Sequence, residues 1–132
     1  MATERVVVDA SAGVQASLAA GWSALDTWHL VAPTLFWSEV ASGIRQLEYR
    51  REISATEAAD ALTQLLDAKV EPYPSRDLAH DAQRLARQLG WAKTYDAEFV
   101  TLAKRLGAPL LTVDARLAGA AARLVDIFPG AD

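Results

Sequence analysis

Two spacings of apolar residues alternate along this chain: short β-branched runs, and longer segments with a helical period. The first run, Val6 to Val8 in RVVVDASA, is apolar on both faces and ends at Asp9, the pattern of a buried parallel strand. AGVQASLAAGW predicts a short helix, and HLVAP a second strand stopped by Pro33. From Thr34 to about Arg50, Leu35, Phe36, Val40, Ile44 and Leu47 recur with a helical period, and Glu39 lies among them. SATEAADALTQLLDA opens on a capping box in which Ser54 caps and Glu57 reaches back. KVEPYP reads as an edge strand, because Pro72 has no N–H to give a ladder. Ser75 opens a helix over RDLAHDAQRLARQL that Gly90 ends. Thr94 caps another from Tyr95 to about Leu106, punctuated by Gly107 and Pro109. LLTV is a strand ending at Asp114, and LVDIF a closing strand.

Helical stretches alternating with β-branched runs predict an α/β layered fold rather than a bundle or sandwich. The 132 residues, 52% hydrophobic, suit one domain over 1–132 with a sizeable core. The absence of cysteine excludes disulfides, zinc–thiolate sites and thiol catalysis. No apolar run approaches the roughly 18 residues of a membrane helix, and Glu4 and Arg5 interrupt any signal-peptide core, so a cytoplasmic protein without a membrane segment is expected. A formal charge of −4 argues against a broadly basic nucleic-acid-binding surface, while leaving room for a local basic strip.

The acids carry the candidate chemistry. A helix from Asp96 to Leu106 advances about 15 Å, and a strand from Leu110 to Asp114 returns roughly 13 Å. Asp96 and Asp114 are therefore expected at the same end of their unit. Asp9 ends the other parallel-type strand at the sheet edge where open α/β folds bind ligands. Each acid alone has an ordinary explanation, as a helix-dipole partner or a turn former. Glu39 is harder to dismiss, since it shares a helix face with Leu35 and Leu47. Gathered together, these carboxylates would repel one another unless a cation neutralised them. All-oxygen donors without cysteine favour Mg²⁺ or Mn²⁺, and such a site suits phosphoryl displacement.

The segments VVVDASA, LVAPTLFWSEV, TYDAEFVTLAKRLGAPLLTVDARL and LVDIF, in this order and spacing, resemble the PIN-domain ribonucleases, most closely the VapC-type toxins of toxin–antitoxin operons. The resemblance implies a three-layer fold with a central parallel sheet of four or five strands flanked by helices. It implies metal-dependent hydrolysis of RNA phosphodiesters, with Asp9, Glu39, Asp96 and Asp114 forming the metal site. Asp9, Asp96 and one further acid would bind the ion directly, and Glu39 would bind through water or orient the nucleophile. Thr112 matches the hydroxyl of the family's T-x-D element. Ser11 matches a frequent Ser/Thr after the first Asp, although as a residue it reads first as the cap of the first helix. A VapB-like antitoxin and a homodimer are the implied protein partners.

RNA approaching an acidic pocket needs cations nearby, and Arg45, Lys93 and Arg116, with Arg50 and Arg51, are the candidates. Surface pairing, such as Glu48 with Arg51, competes for each. Trp22, Trp28, Trp37 and Trp91 offer stacking surfaces but read first as core or interface anchors. His29 and His80 belong to no ligand motif. An aspartyl-nucleophile phosphatase would carry a second Asp where Ser11 stands, and a receiver module would need an early acidic pair and a late lysine. An RNA-processing PIN nuclease and a non-catalytic PIN-like interaction domain complete the alternatives.

Overall fold

The structure, a computed structural model, describes residues 4–129. Four strands form one parallel sheet: β1 (Arg5–Val8), β2 (His29–Pro33), β3 (Val70–Tyr73) and β4 (Leu110–Leu111), in the order β3-β2-β1-β4. Register pairs Val7 with both Val31 and Leu110, so β1 is central and Val6, Val7 and Val8 are fully buried. Pro72 lies in β3, at the sheet edge.

The strand order dictates the layering. Connections β1 to β2 and β2 to β3 move across the sheet in one direction, and β3 to β4 returns over both in the other. Right-handed crossovers then place α1 (Ala10–Leu18), α2 (Leu35–Tyr49) and α3 (Ala55–Asp67) on one face, and α4 (Asp77–Leu89) and α5 (Tyr95–Leu106) on the opposite one. The contacts agree: α1, α2 and α3 pack on one another, while α4 packs on α5, which lies against β1, β2 and β4. The direction in which the connections cross the sheet therefore reverses between the parallel strands β1 and β4, and the crevice outside their carboxyl ends is the switch point where such sheets take ligands.

Close approach of α1 and α2 depends on two glycines. A Cβ on Gly13 would lie 2.7 Å from Val40 Cγ2 and 2.8 Å from the Phe36 ring, and one on Gly43 would lie 2.8 Å from Val14 Cγ2. Glu39, between Phe36 and Val40, is thereby drawn toward the amino end of α1. The Ser54–Glu57 capping box forms as expected, and Gly90 and Gly107 end α4 and α5 with φ of 73° and 61°.

The structure corrects the sequence reading at several places. Thr94 precedes α5, but its backbone is already helical (φ −101°, ψ −2°), so its hydroxyl makes no capping bond. The predicted strand LLTV stops at Leu111. There the Asp9 N–H takes the Leu111 carbonyl (3.0 Å), and the Ser11 hydroxyl then takes the Val113 N–H (3.1 Å), because β1 has already turned into α1. LVDIF contributes only the parallel bridge Leu110 to Ile127, since its partner β4 is two residues long. A further helix, α6 (Ala115–Ala121), follows Asp114; its alanine-rich sequence has too little apolar periodicity to predict it. Among the described residues no helix is long and apolar enough to cross a membrane.

Candidate active site

Asp9 leaves the central strand with extended backbone (φ −89°, ψ 174°) and caps α1, accepting from the Ala12 N–H at 2.9 Å. Ser11, read from sequence as the cap, instead donates its hydroxyl to Asp9 Oδ1 (2.8 Å). Its oxygen also lies 3.2 Å from Thr112 Oγ1, which accepts the Asp114 N–H at 3.1 Å. Asp9, Ser11, Thr112 and Asp114 thus form one chain of hydrogen bonds across the crevice between β1 and β4. Only 3% of Asp9 is exposed. Burial pushes its carboxyl above the ordinary range, opposed by the Thr112 hydroxyl, the Ala12 N–H and Ser11, while the charge of Asp96 adds to the rise.

Glu39, half-buried on α2, is raised to about 7, first by burial and then by the negative charges of Asp96, Asp9 and Glu98, with Lys93 opposing. These mutual effects place Asp9, Glu39 and Asp96 around one point in space. Glu98, on the first turn of α5 beside Asp96, belongs to the same neighbourhood, and burial raises its carboxyl too. The sequence reading passed over Glu98; its spacing of two from Asp96 was the available signal.

Asp114 is held by a separate set of partners. Its carboxylate caps α6, accepting from the N–H groups of Arg116 (2.9 Å) and Leu117 (3.2 Å). The Arg116 guanidinium connects the two sides, 3.3 Å from Asp96 Oδ2 and 3.8 Å from Asp114 Oδ2. Asp96 and Asp114 do meet at one end of their helix–strand unit, across a cation supplied by the chain itself.

A cavity of about 480 Å³ opens beside these groups, lined by Glu39, Trp91, Lys93, Tyr95, Asp96 and Arg116 among others. Of the cations considered from sequence, Lys93 and Arg116 reach it. Arg45 pairs with Glu48 (3.4 Å) and lies over the Tyr49 ring, and Arg50 pairs with Glu52 (2.6 Å). Glu48 meets Arg51 only through a backbone hydrogen bond. Trp22 and Trp28 are spent on the core, edge-on to Phe36 and Phe128, and Trp37 packs edge-on against Phe36. His29 contacts Glu71 and His80 contacts Asp81, both away from the acids.

Among the described residues no three carboxylate or imidazole groups are already drawn into a cation cage. The donor chemistry nonetheless fits a hard divalent ion. Oxygen donors converge, one is buried, and burial together with neighbouring negative charge raises the carboxyls of Asp9 and Glu39, a penalty that a cation would relieve.

The family model described as PIN domain matches residues 6–123. VapC ribonuclease Mb0985 of Mycobacterium bovis is 35% identical over 114 residues, covering 85% of this chain and 87% of that protein. Ribonuclease VapC1 of Mycobacterium tuberculosis is 37% identical over 126 residues, covering 89% and 91%. In three dimensions the chain is similar to the crystal structure of PAE2754 from Pyrobaculum aerophilum, with a TM-score of 0.71 at 23% identity, over 94% of this chain and 84% of that one.

Proposed function

This chain belongs to the PIN-domain family as a VapC-type endoribonuclease, and from that premise we propose that Asp9, Glu39, Asp96 and Asp114 are the acids with which it hydrolyses RNA. The observation that supports this most is the gathering of Asp9, Glu39 and Asp96 at the β1–β4 switch point, where buried Asp9 and half-buried Glu39 both feel the charge of Asp96. PIN nucleases use divalent metal ions. Here Mg²⁺ or Mn²⁺ would be held by Asp9, Asp96 and Glu39, with Asp114 beside them. When bound, such an ion supplies Lewis acidity to the phosphodiester and lowers the pKa of water.

The protein groups divide the remaining work. Asp9 is immobilised by its cap and by Ser11, and so fixes the centre relative to the sheet. Glu39, with a carboxyl near neutrality, is suited to hold or accept a proton at working pH. Thr112 orients the Asp9 and Asp114 ends of the crevice through Ser11 and the Asp114 N–H. Lys93 and Arg116 offset the repulsion between the acids and the RNA phosphates.

A VapB-type antitoxin is the protein partner this reading assigns, in a cytoplasmic setting that suits a chain without cysteine. Leu62 and Leu66, 40% and 68% exposed one turn apart on α3, support association with a second copy of the chain.

The test compares wild type with Asp9→Asn and Asp96→Asn, each freed of antitoxin, on a panel of structured RNAs with Mg²⁺, Mn²⁺ or EDTA. Cutting by wild type that requires the ion and vanishes in both variants is the expected result. Equal cutting by all three proteins would remove the acids from the mechanism.

A further inference from the structure

Trp91 stands apart from the other three tryptophans. Trp22, Trp28 and Trp37 each meet a phenylalanine edge-on within the core. Trp91 has no such partner; partly buried and packed against the core as Trp28 and Trp37 are, it also lines the cavity beside Glu39 and Asp96. Its position is fixed by the end of α4, where Gly90 adopts a left-handed conformation and the Trp91 N–H bonds the Ala86 carbonyl at 2.8 Å. Four residues later Tyr95 opens α5, lines the same cavity and leaves 52% of its surface to solvent.

Tyr49 is also exposed, but the Arg45 guanidinium lies over its ring. Tyr95 stacks on no aromatic ring and lies under no guanidinium among the described residues. Two aromatic side chains anchored on rigid helix ends, with Lys93 between them in sequence and Arg116 across the cavity, therefore border the acid cluster.

Resting on the nuclease reading, we infer that Trp91 and Tyr95 form a stacking shelf that holds one nucleobase of the RNA beside the acids and sets which nucleotide is presented for cutting. The ligand class follows from the neighbours. Flat π surfaces accept any base face, Lys93 and Arg116 accept the adjoining phosphates, and the shelf is continuous with the acids that would act on the chain. The backbone at both positions is fixed, by the bond from the Trp91 N–H to the Ala86 carbonyl and by the first turn of α5, so the shelf selects a nucleotide by its distance from the acids and not by its base.

The experiment uses the full chain with Trp91→Ala, Tyr95→Ala and the ring-retaining Trp91→Phe and Tyr95→Phe, checked for folding by thermal melts. Two readouts are taken: steady-state cleavage of a short unpaired RNA with Mn²⁺, and quenching of 2-aminopurine placed at successive positions of that RNA in EDTA. Each alanine variant is expected to raise KM about 5- to 100-fold, with kcat changing far less. Quenching at one nucleotide position should be lost in the alanine variants and kept in the phenylalanine variants. Unchanged KM and unchanged quenching in both alanine variants, while wild type still cuts, would overturn the shelf and leave the nuclease intact. Wild type that cuts nothing yet quenches one position would keep the shelf and overturn the nuclease.

Discussion

Asp9 and Asp96 face the same cleft under different constraints. Asp9 is 3% exposed, stands at the end of the central strand, and is bound by the Ala12 N–H and the Ser11 hydroxyl. Asp96 is partly exposed on the first turn of α5, and its recorded side-chain partner is the exposed guanidinium of Arg116. The first is positioned by groups that cannot leave without unfolding α1; the second is paired with a side chain free to exchange. The cleft therefore has a rigid wall and an adjustable one. Its charge can be rearranged without disturbing the sheet.

The sharpest break of this comparison is at the rigid wall. Asp9→Asn should lower RNA cutting by at least about 100-fold while the melting temperature barely moves, because Asn caps a helix about as well as Asp. Asp9→Ala should show the same loss of cutting with an additional ~1 kcal/mol of destabilisation in urea unfolding. Equal stability of the two variants would mean that the cap seen at Ala12 contributes nothing.

Next comes the packing that brings α2 to that wall. Gly13→Val should destabilise the chain by about 1–3 kcal/mol by crowding Phe36 and Val40. The same change at Gly119, with nothing within 4 Å of an added Cβ, should be felt mainly as helix propensity.

Glu39 tests the charge at the join of the two walls. Its carboxyl rises from an ordinary 4.5 to about 7, so the folded chain binds more protons than the unfolded one across that interval. Stability must then fall as pH rises from about 4.5 to 7 and level off above it. Glu39→Gln should reduce this slope, leaving the part due to Asp9 and Glu98, and stabilise the metal-free protein at pH 8 by roughly 1 kcal/mol after allowing for solvent screening. Added Mn²⁺ should reduce the slope more in wild type than in the variant, which keeps Asp9 and Asp96 but lacks the Glu39 carboxylate. Denaturation curves at pH 5 and pH 8 decide it.

The smallest effect belongs to the adjustable wall. An exposed pair contributes about 0.2–1 kcal/mol, so Arg116→Gln should tighten Mn²⁺ binding by no more than about fivefold in titration calorimetry. Weaker Mn²⁺ binding in that variant would show that Arg116 organises the acids instead of competing for them.

Strands β1, β2 and β3 and the helices α2 to α5 were legible because each carries its own signal: β-branched runs, apolar period, the Ser54–Glu57 box, and Gly90 and Gly107 at helix ends. The nearness of Asp96 to the carboxyl end of β1 and Asp9 was legible from topology, whereas Glu39 was legible as a carboxylate on an apolar helix face and from the family resemblance. What was not legible depends on distant partners. The Ser11 hydroxyl ends β4 early by taking the Val113 N–H, a contact between residues at opposite ends of the chain. Asp114 was read as a ligand, and it also caps a helix that its own sequence hardly announces. Arg116 was read as a substrate contact, and it bridges two acids because α6 turns it back toward α5.

The pairing of Val7 with Leu110 has a consequence for the order of synthesis. The central strand is made first and its last neighbour nearly last, so at 5–20 residues per second roughly 5–20 s separate Asp9 from Asp114 on the ribosome. Through that interval the growing chain can pair β1 with β2 and β2 with β3, but it has no β4 to close the crevice. The acid cluster of a nascent chain therefore stays incomplete until β4 and Asp114 have been added beside Asp9.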